Sequence, residues 1–216
     1  MTLGPFIRRL FGPYEHQIGE AYRSMYIDID SFVELMRDWS PDAARILEVG
    51  CGEGAVTERL AAAYPNARIT AIDITPRVGR LYQGPRGRVE FTCCDVQTVA
   101  SAEPAAYDLV VLSDVLHHVP TELRQGLIDS VRATLAPGGS FVFKDWERTF
   151  TPIHWLCYAS DRWVTGDRIS FMSREQMRMR LASSFGHSAL VAEARVRPWR
   201  NNIATLVRPE RTTTPP

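Results

Sequence analysis

The stretch ILEVGCGEGAV, residues 46–56, constrains this chain more than any other: four mostly apolar positions run into glycines at 50, 52 and 54, and helix-forming residues follow. A short apolar run bounded in this way suits a strand buried on both faces. Glycine removes the side chain, so the backbone can turn sharply and approach a ligand closely. Strand, bare loop and helix in that order open a βαβ unit.

The rest of the chain continues the alternation. Ser31-Phe32-Val33-Glu34 has the form of a capping box, and Phe32, Leu35 and Met36 keep helical spacing until Ser40-Pro41, which predicts a helix ahead of the loop. AVTERLAAAY predicts a helix ending near Pro65, and ARITAID a strand. Thr75-Pro76 reads as the N-cap and first-turn proline of a further helix, with strands at VEFTCC and YDLVVLS. From Thr121, the residues Leu123, Leu127, Ile128, Val131 and Leu135 mark one face of a helix; Pro137-Gly138-Gly139 breaks it, and SFVFKDW is a strand. Ser173-Arg174-Glu175-Gln176 is a second capping box, opening a helix to about Ser184, after which SALVAEARV and NIATLVRP flank RPWRNN as a hairpin. Alternating strands and helices predict a parallel α/β sheet covered on both faces, finished by the hairpin.

Composition narrows the partners. With 216 residues the chain fits one domain, and 25 basic against 25 acidic side chains leave no global field that draws it to nucleic acid or an anionic membrane. Cys51, Cys93, Cys94 and Cys157 show neither CxxC nor zinc-type spacing and suit small reduced core residues. Residues 1–16 contain no apolar run of signal-peptide length, and no stretch reaches the roughly 20 apolar residues of a membrane span, so the expected setting is cytoplasmic. The tail RPERTTTPP reads as frayed.

In such a sheet a ligand sits beyond the C-terminal strand ends, where the strand order reverses. The loop alone leaves its identity open, because Gly50-x-Gly52-x-x-Ala55 also satisfies the relaxed dinucleotide fingerprint. Asp73, ending the second strand 19 positions after Gly54, suits a ribose of either a nicotinamide or an adenosyl ligand. Glu48 and Asp95 add two carboxylates around the same crevice, which would repel a pyrophosphate and favour an amino group and a sulfonium.

LEVGCGEG, Asp73 after ITAI, CCDV, YDLVVLSDVLHHVP and LAPGGSFVFKDW, in this order, resemble the successive motifs of class I S-adenosylmethionine-dependent methyltransferases over residues 44 to 147. The resemblance implies a Rossmann-like open, mostly parallel seven-stranded sheet with helices on both faces and a C-terminal antiparallel hairpin. It implies S-adenosyl-L-methionine as cofactor, with S-adenosyl-L-homocysteine as product. Glu48, Gly50, Gly52 and Gly54 would lie along the methionine part, and Asp73 would bind the ribose with Ile74 beside it. Asp95 would accept from the adenine amino group, the Val96 backbone would flank the ring, and Ser113 would offer its carbonyl to the methionine ammonium. Within a single domain over 1–216, residues 1–42 become an N-terminal helical cap, 43–145 the cofactor-binding core, 146–172 a candidate substrate lid, 173–208 the last helix and hairpin, and 209–216 the tail.

The acceptor side is less marked, because methyl transfer from a sulfonium is largely a matter of alignment and needs a base only if the acceptor must lose a proton. His117 and His118 follow the fourth strand and could take that proton, although LHHV is common in this family among members with different acceptors, which suits packing. Lys144, Asp145 and Trp146 end a strand expected to point into the site, with Asp145 a base, a substrate contact or a cap. The long segment DWERTFTPIHWLCYASDRWVTGDRISFMS offers Trp146, His154, Trp155 and Tyr158 as substrate contacts in an aromatic lid; equally, Trp155, Tyr158 and Trp163 have the spacing of the core face of a small helix. EAYRSMYIDIDSFVELM could close over the cofactor or simply cover the sheet. The motif after the fourth strand differs from that of base-amino methylating enzymes, and no catechol-type magnesium set is present, so the expected partner is a small molecule, with no nucleic acid and no metal. A peptide, protein or RNA acceptor, a noncatalytic cofactor-binding role and a nicotinamide oxidoreductase are the alternatives. The oligomeric state is not legible.

Overall fold

In a computed structural model the described residues are 23–160 and 169–210, together with Gln17 and Ala21. Trp163, residues 1–16 and the tail from 211 lie outside them. The strands are β1 (Arg45–Val49), β2 (Arg68–Asp73), β3 (Val89–Cys93), β4 (Tyr107–Ser113), β5 (Leu135–Trp146), β6 (Leu190–Arg195) and β7 (Asn202–Val207). The helices are α1 (Ile29–Trp39), α2 (Ala55–Ala63), α3 (Val96–Ala102), α4 (Arg124–Thr134), α5 (Pro152–Ser160) and α6 (Arg174–Phe185). The sheet has the order β3-β2-β1-β4-β5-β7-β6, parallel from β3 to β5, with β7 antiparallel to both β5 and β6.

Pleating divides the apolar strands between two cores. On β1, Ile46 faces α1 and α2 with Phe32, Met36 and Leu60, whereas Leu47 faces the opposite layer with Val110, Val131 and Leu181. Both faces of β1 and β4 are thus covered, as their continuous apolar sequence demands. Strand order reverses between β1, which leads to β2 and β3, and β4, which leads to β5, so a crevice opens at the C-terminal ends of these two central strands.

Four local expectations are corrected. Helix α1 starts before Ser31: Asp28 is the N-cap, accepting from the Ser31 amide at 3.0 Å and the Ser31 hydroxyl at 2.7 Å, because a carboxylate there satisfies a free helical amide. Thr75-Pro76 opens no helix. Instead the amides of Gly79 and Leu81 donate back to the carbonyls of Gly52 and Glu53 at 2.9 and 3.0 Å, so the segment is fastened to the glycine loop through turns. Helix α4 ends at Thr134, and β5 already begins at Leu135, reaching its main pairing at Ser140 after an irregularity at Pro137–Gly139. Cys93 is exposed because β3 is an edge strand; Cys51 and Cys157 are buried as expected, and none of the four is in a disulfide. The Ser173 capping box is formed as read: its hydroxyl accepts from the Gln176 amide, and the Gln176 side chain accepts from the Ser173 amide.

Gly79 illustrates how tightly this loop is held. It has φ of +63°, and an added Cβ would lie 2.4 Å from the Phe91 ring. Gly79→Ala should therefore lower unfolding free energy by roughly 1–3 kcal/mol in denaturant titrations. Gly87→Ala, where a Cβ meets nothing within 4 Å, should change it by less than about 0.5 kcal/mol; equal effects would contradict this packing.

Candidate functional site

The glycine loop is fixed by backbone bonds to the neighbouring strand. Gly50 and Cys51 donate to the Ile72 carbonyl at 2.8 and 3.0 Å, and the Gly52 amide donates to Asp73 Oδ2 at 2.8 Å. The other Asp73 oxygen accepts from the Thr75 amide at 2.9 Å. Gly50, Gly52 and Gly54 all have positive φ, and Gly54 is the N-cap of α2. A Cβ on Gly50 would lie 2.2 Å from Val115, so only glycine lets the turn after β4 close against the loop.

Glu48 is the electrostatic centre of this end. It is 3 % exposed, and its Oε2 has no hydrogen-bond partner. Burial pushes its carboxyl up to about 7, with the Thr57 hydroxyl opposing the rise and the Asp73 charge adding to it. Asp95 lies outside the core, capping α3 by accepting from the Thr98 hydroxyl and amide at 2.7 and 2.8 Å, which hold its carboxyl below the usual range. Val96 is buried behind it, and Ile74 beside Asp73 is 78 % exposed; neither these two nor Asp73 and Asp95 line the crevice around Glu48.

The crevice encloses about 300 Å³ and brings together Glu48, Gly50, Gly52, Ser113, His117, His118 and Trp146. His117 is buried, with Nδ1 2.5 Å from Asp145 Oδ1 and its ring against those of His118 and Phe171. Burial alone would raise the Asp145 carboxyl, but the His117 charge and hydrogen bond, the Trp146 amide at 2.7 Å and Lys144 hold it below its ordinary value. Asp145 does not line the crevice, contrary to the expectation for the strand end as a whole. Alternation along β5 turns Lys144 and Trp146 to the crevice and leaves Asp145 behind His117.

The lid residues divide by helical phase. On α5, His154 and Cys157 point inward: Cys157 lines the crevice, and His154 Nδ1 accepts from the Trp146 indole at 3.1 Å. The acceptor role requires a neutral ring, and burial, with Arg148 nearby, lowers the His154 pKa accordingly. Trp155 and Tyr158, one position further on, are 60 and 39 % exposed and do not line the crevice, so they form no core face.

Sequence reading passed over Asp114, Tyr26 and Asn202, all of which line the crevice. Asp114 sits at φ +56° after β4 and takes the buried Lys144 ammonium on both oxygens, at 2.6 and 2.5 Å. Its signal was present in SDVL, but its partner lay 30 residues away. Asp114, His117 and Asp145 could converge on a cation, yet the Lys144 ammonium already supplies one there.

Residues 46–139 match the family described as a methyltransferase domain. The chain is 40% identical over 112 residues to a trans-aconitate 2-methyltransferase of Streptomyces avermitilis, covering 48% of this chain and 39% of that protein. It is 27% identical over 179 residues to a ubiquinone biosynthesis O-methyltransferase of Xylella fastidiosa, covering 78% of this chain and 71% of that one. The chain thus spans about two fifths of the length of the first relative. In fold it is similar to the 1,6-didemethyltoxoflavin-N1-methyltransferase of Burkholderia thailandensis, with a TM-score of 0.66 and 18% identity over 94% of this chain and 87% of that one. No described helix is long and apolar enough to cross a membrane. The strand order, the glycine loop with its acidic neighbours and the match of residues 46–139 agree: that stretch is a methyltransferase domain set in a Rossmann-like sheet.

Proposed function

We propose that this chain transfers a methyl group from S-adenosylmethionine to the hydroxyl or amine of a small-molecule acceptor. The observation that carries the reading is Glu48, a buried carboxyl with an unpartnered oxygen opening on a glycine-lined crevice. Such a group is costly unless a cationic ligand answers it, and the sulfonium cofactor with its ammonium is such a ligand. The names of both sequence relatives point to small-molecule acceptors. Four cysteines outside any disulfide suit a reducing, cytoplasmic setting for a single domain with α1 as its cap.

In this reading Glu48 and the Ser113 carbonyl hold the ammonium, while Gly50, Gly52 and Gly54 let the methionine portion lie against the backbone. Asp73 keeps lone pairs for the ribose hydroxyls after accepting from Gly52 and Thr75. Asp95 accepts from the adenine amino group through the oxygen that Thr98 does not use, and Val96 and Ile74 flank the ring. When bound, the cofactor supplies a methyl on a good leaving group, so alignment is the main demand on the protein. Trp146, its indole held by His154, forms a flat wall for the acceptor. Asp145 orients the ring through Nδ1, so that a neutral His117 carrying its proton there takes the acceptor's proton at Nε2, and the Asp145 carboxylate stabilises the charged ring that results. His118 packs its tilted ring against that of His117 and steadies it.

Calorimetry should show S-adenosylmethionine binding with a roughly micromolar Kd, weakened about tenfold or more by Asp73→Ala. His117→Ala should retain that binding yet slow labelled-methyl transfer into the low-mass fraction of a cell extract by about 100-fold. Binding of a reduced nicotinamide in place of S-adenosylmethionine, or transfer unaffected by loss of His117, would contradict the scheme.

Glu48 gives a second test through its sign. Its folded-state pKa of about 7 exceeds the ordinary value of 4.5, so ionisation destabilises the ligand-free protein progressively from about pH 4.5 to 7 and fully above. Glu48→Gln should therefore raise stability at pH 8 by on the order of 1–3 kcal/mol and bring no such gain at pH 4. S-adenosylmethionine affinity should rise with pH through about 7 in the wild type and stay low and flat in the variant.

A further inference from the structure

Two concavities away from the crevice contain arginines. In the larger, about 850 Å³ at the N-terminal strand ends, two of the four arginines are answered and two carboxylates stand in the wall. Arg45 pairs with Glu103 at 2.6 Å and lies over the Tyr107 ring, Arg88 donates to the carbonyls of Tyr64, Ala67 and Ala61, and Glu90 stands in the wall.

The other, of about 390 Å³, lies between α4, α6 and residues 170–172. Arg124, Arg148 and Arg180 enter it from three separate segments, Thr121 and Gln176 add polar groups, and no carboxylate lines it. Arg124 is 2 % exposed and is aimed by two bonds, from Nε to the Val119 carbonyl and from a terminal nitrogen to the Ser170 carbonyl, both at 2.8 Å. Asp145 and Glu122 act on Arg124 from outside the lining, whereas Arg180 opposes it with like charge. Arg148 and Arg180 make no ion pair among the described residues. Converging guanidiniums without an acid between them repel one another until an anion joins them.

We propose that this pocket binds a small oxyanion-bearing molecule, a phosphate-bearing one in preference to a carboxylate. A tetrahedral phosphate presents three oxygens to donors arriving from different directions, whereas a carboxylate presents two in one plane. The volume suits a metabolite-sized ligand. The site also touches the crevice wall: Ser170 accepts from Arg124 through its carbonyl and donates its amide to the His117 carbonyl at 2.9 Å. This assignment does not depend on the methyltransferase reading.

The test is calorimetric titration of the full chain with pyrophosphate, inorganic phosphate and succinate at constant ionic strength. Saturable one-site binding is expected, tightest for pyrophosphate and weakest for succinate. An Arg148→Gln, Arg180→Gln double variant should bind at least about tenfold more weakly with unchanged thermal unfolding, while Arg68→Gln, Arg86→Gln in the larger groove should bind like wild type. Absence of saturable heat, or equal binding by the Arg148 and Arg180 variant, would overturn the proposal. So would a single-stranded oligonucleotide that binds more tightly than pyrophosphate through the same two arginines, since the face would then be a nucleic-acid contact.

Discussion

Parallel pairing of β1 between β2 and β4 is the constraint on which the rest depends. Glu48 stands level with Ala71 on one neighbour and Val111 on the other, so the strands end together, at one edge of the sheet. Since the chain leaves β1 toward β2 and leaves β4 toward β5, the edge opens between them. The glycine loop converts that opening into a site, and the bond from the Gly52 amide to Asp73 holds the loop to its neighbour.

Two kinds of buried charge share this edge and serve different ends. Lys144 with Asp114, and His117 with Asp145, are already paired, which offsets desolvation and fixes geometry at the turn after β4. Glu48 is left with an oxygen unanswered. A fold selected for stability alone would not keep such a group, because burying a carboxyl without a partner is unfavourable. The contrast between paired and unpaired acids within one crevice separates the proposed ligand-binding end from the proposed acceptor end.

The sheet was legible because its signals are local: apolar runs, capping residues and turn glycines act within a few positions of one another. The strand-end positions of Glu48 and Asp73 were legible for the same reason, since each lies at the close of a strand that its own sequence announces. What failed was governed by distant partners. Thr75-Pro76 has the form of a helix start, but Gly79 and the carbonyls of the glycine loop hold it in turns. Asp28 displaced Ser31 as a cap because it offers a full carboxylate three residues earlier. Aromatic spacing in the lid revealed a helix without revealing its rotation, which the Trp146 to His154 bond and the inward Cys157 set.

A crystal structure of the protein with S-adenosylhomocysteine is the most direct measurement. The amino group should lie against Glu48 and the Ser113 carbonyl, the ribose hydroxyls on Asp73, and the adenine between Ile74 and Val96 with its amino group on Asp95. Density for the ligand elsewhere, or with its carboxylate rather than its amino group facing Glu48, would contradict this placement.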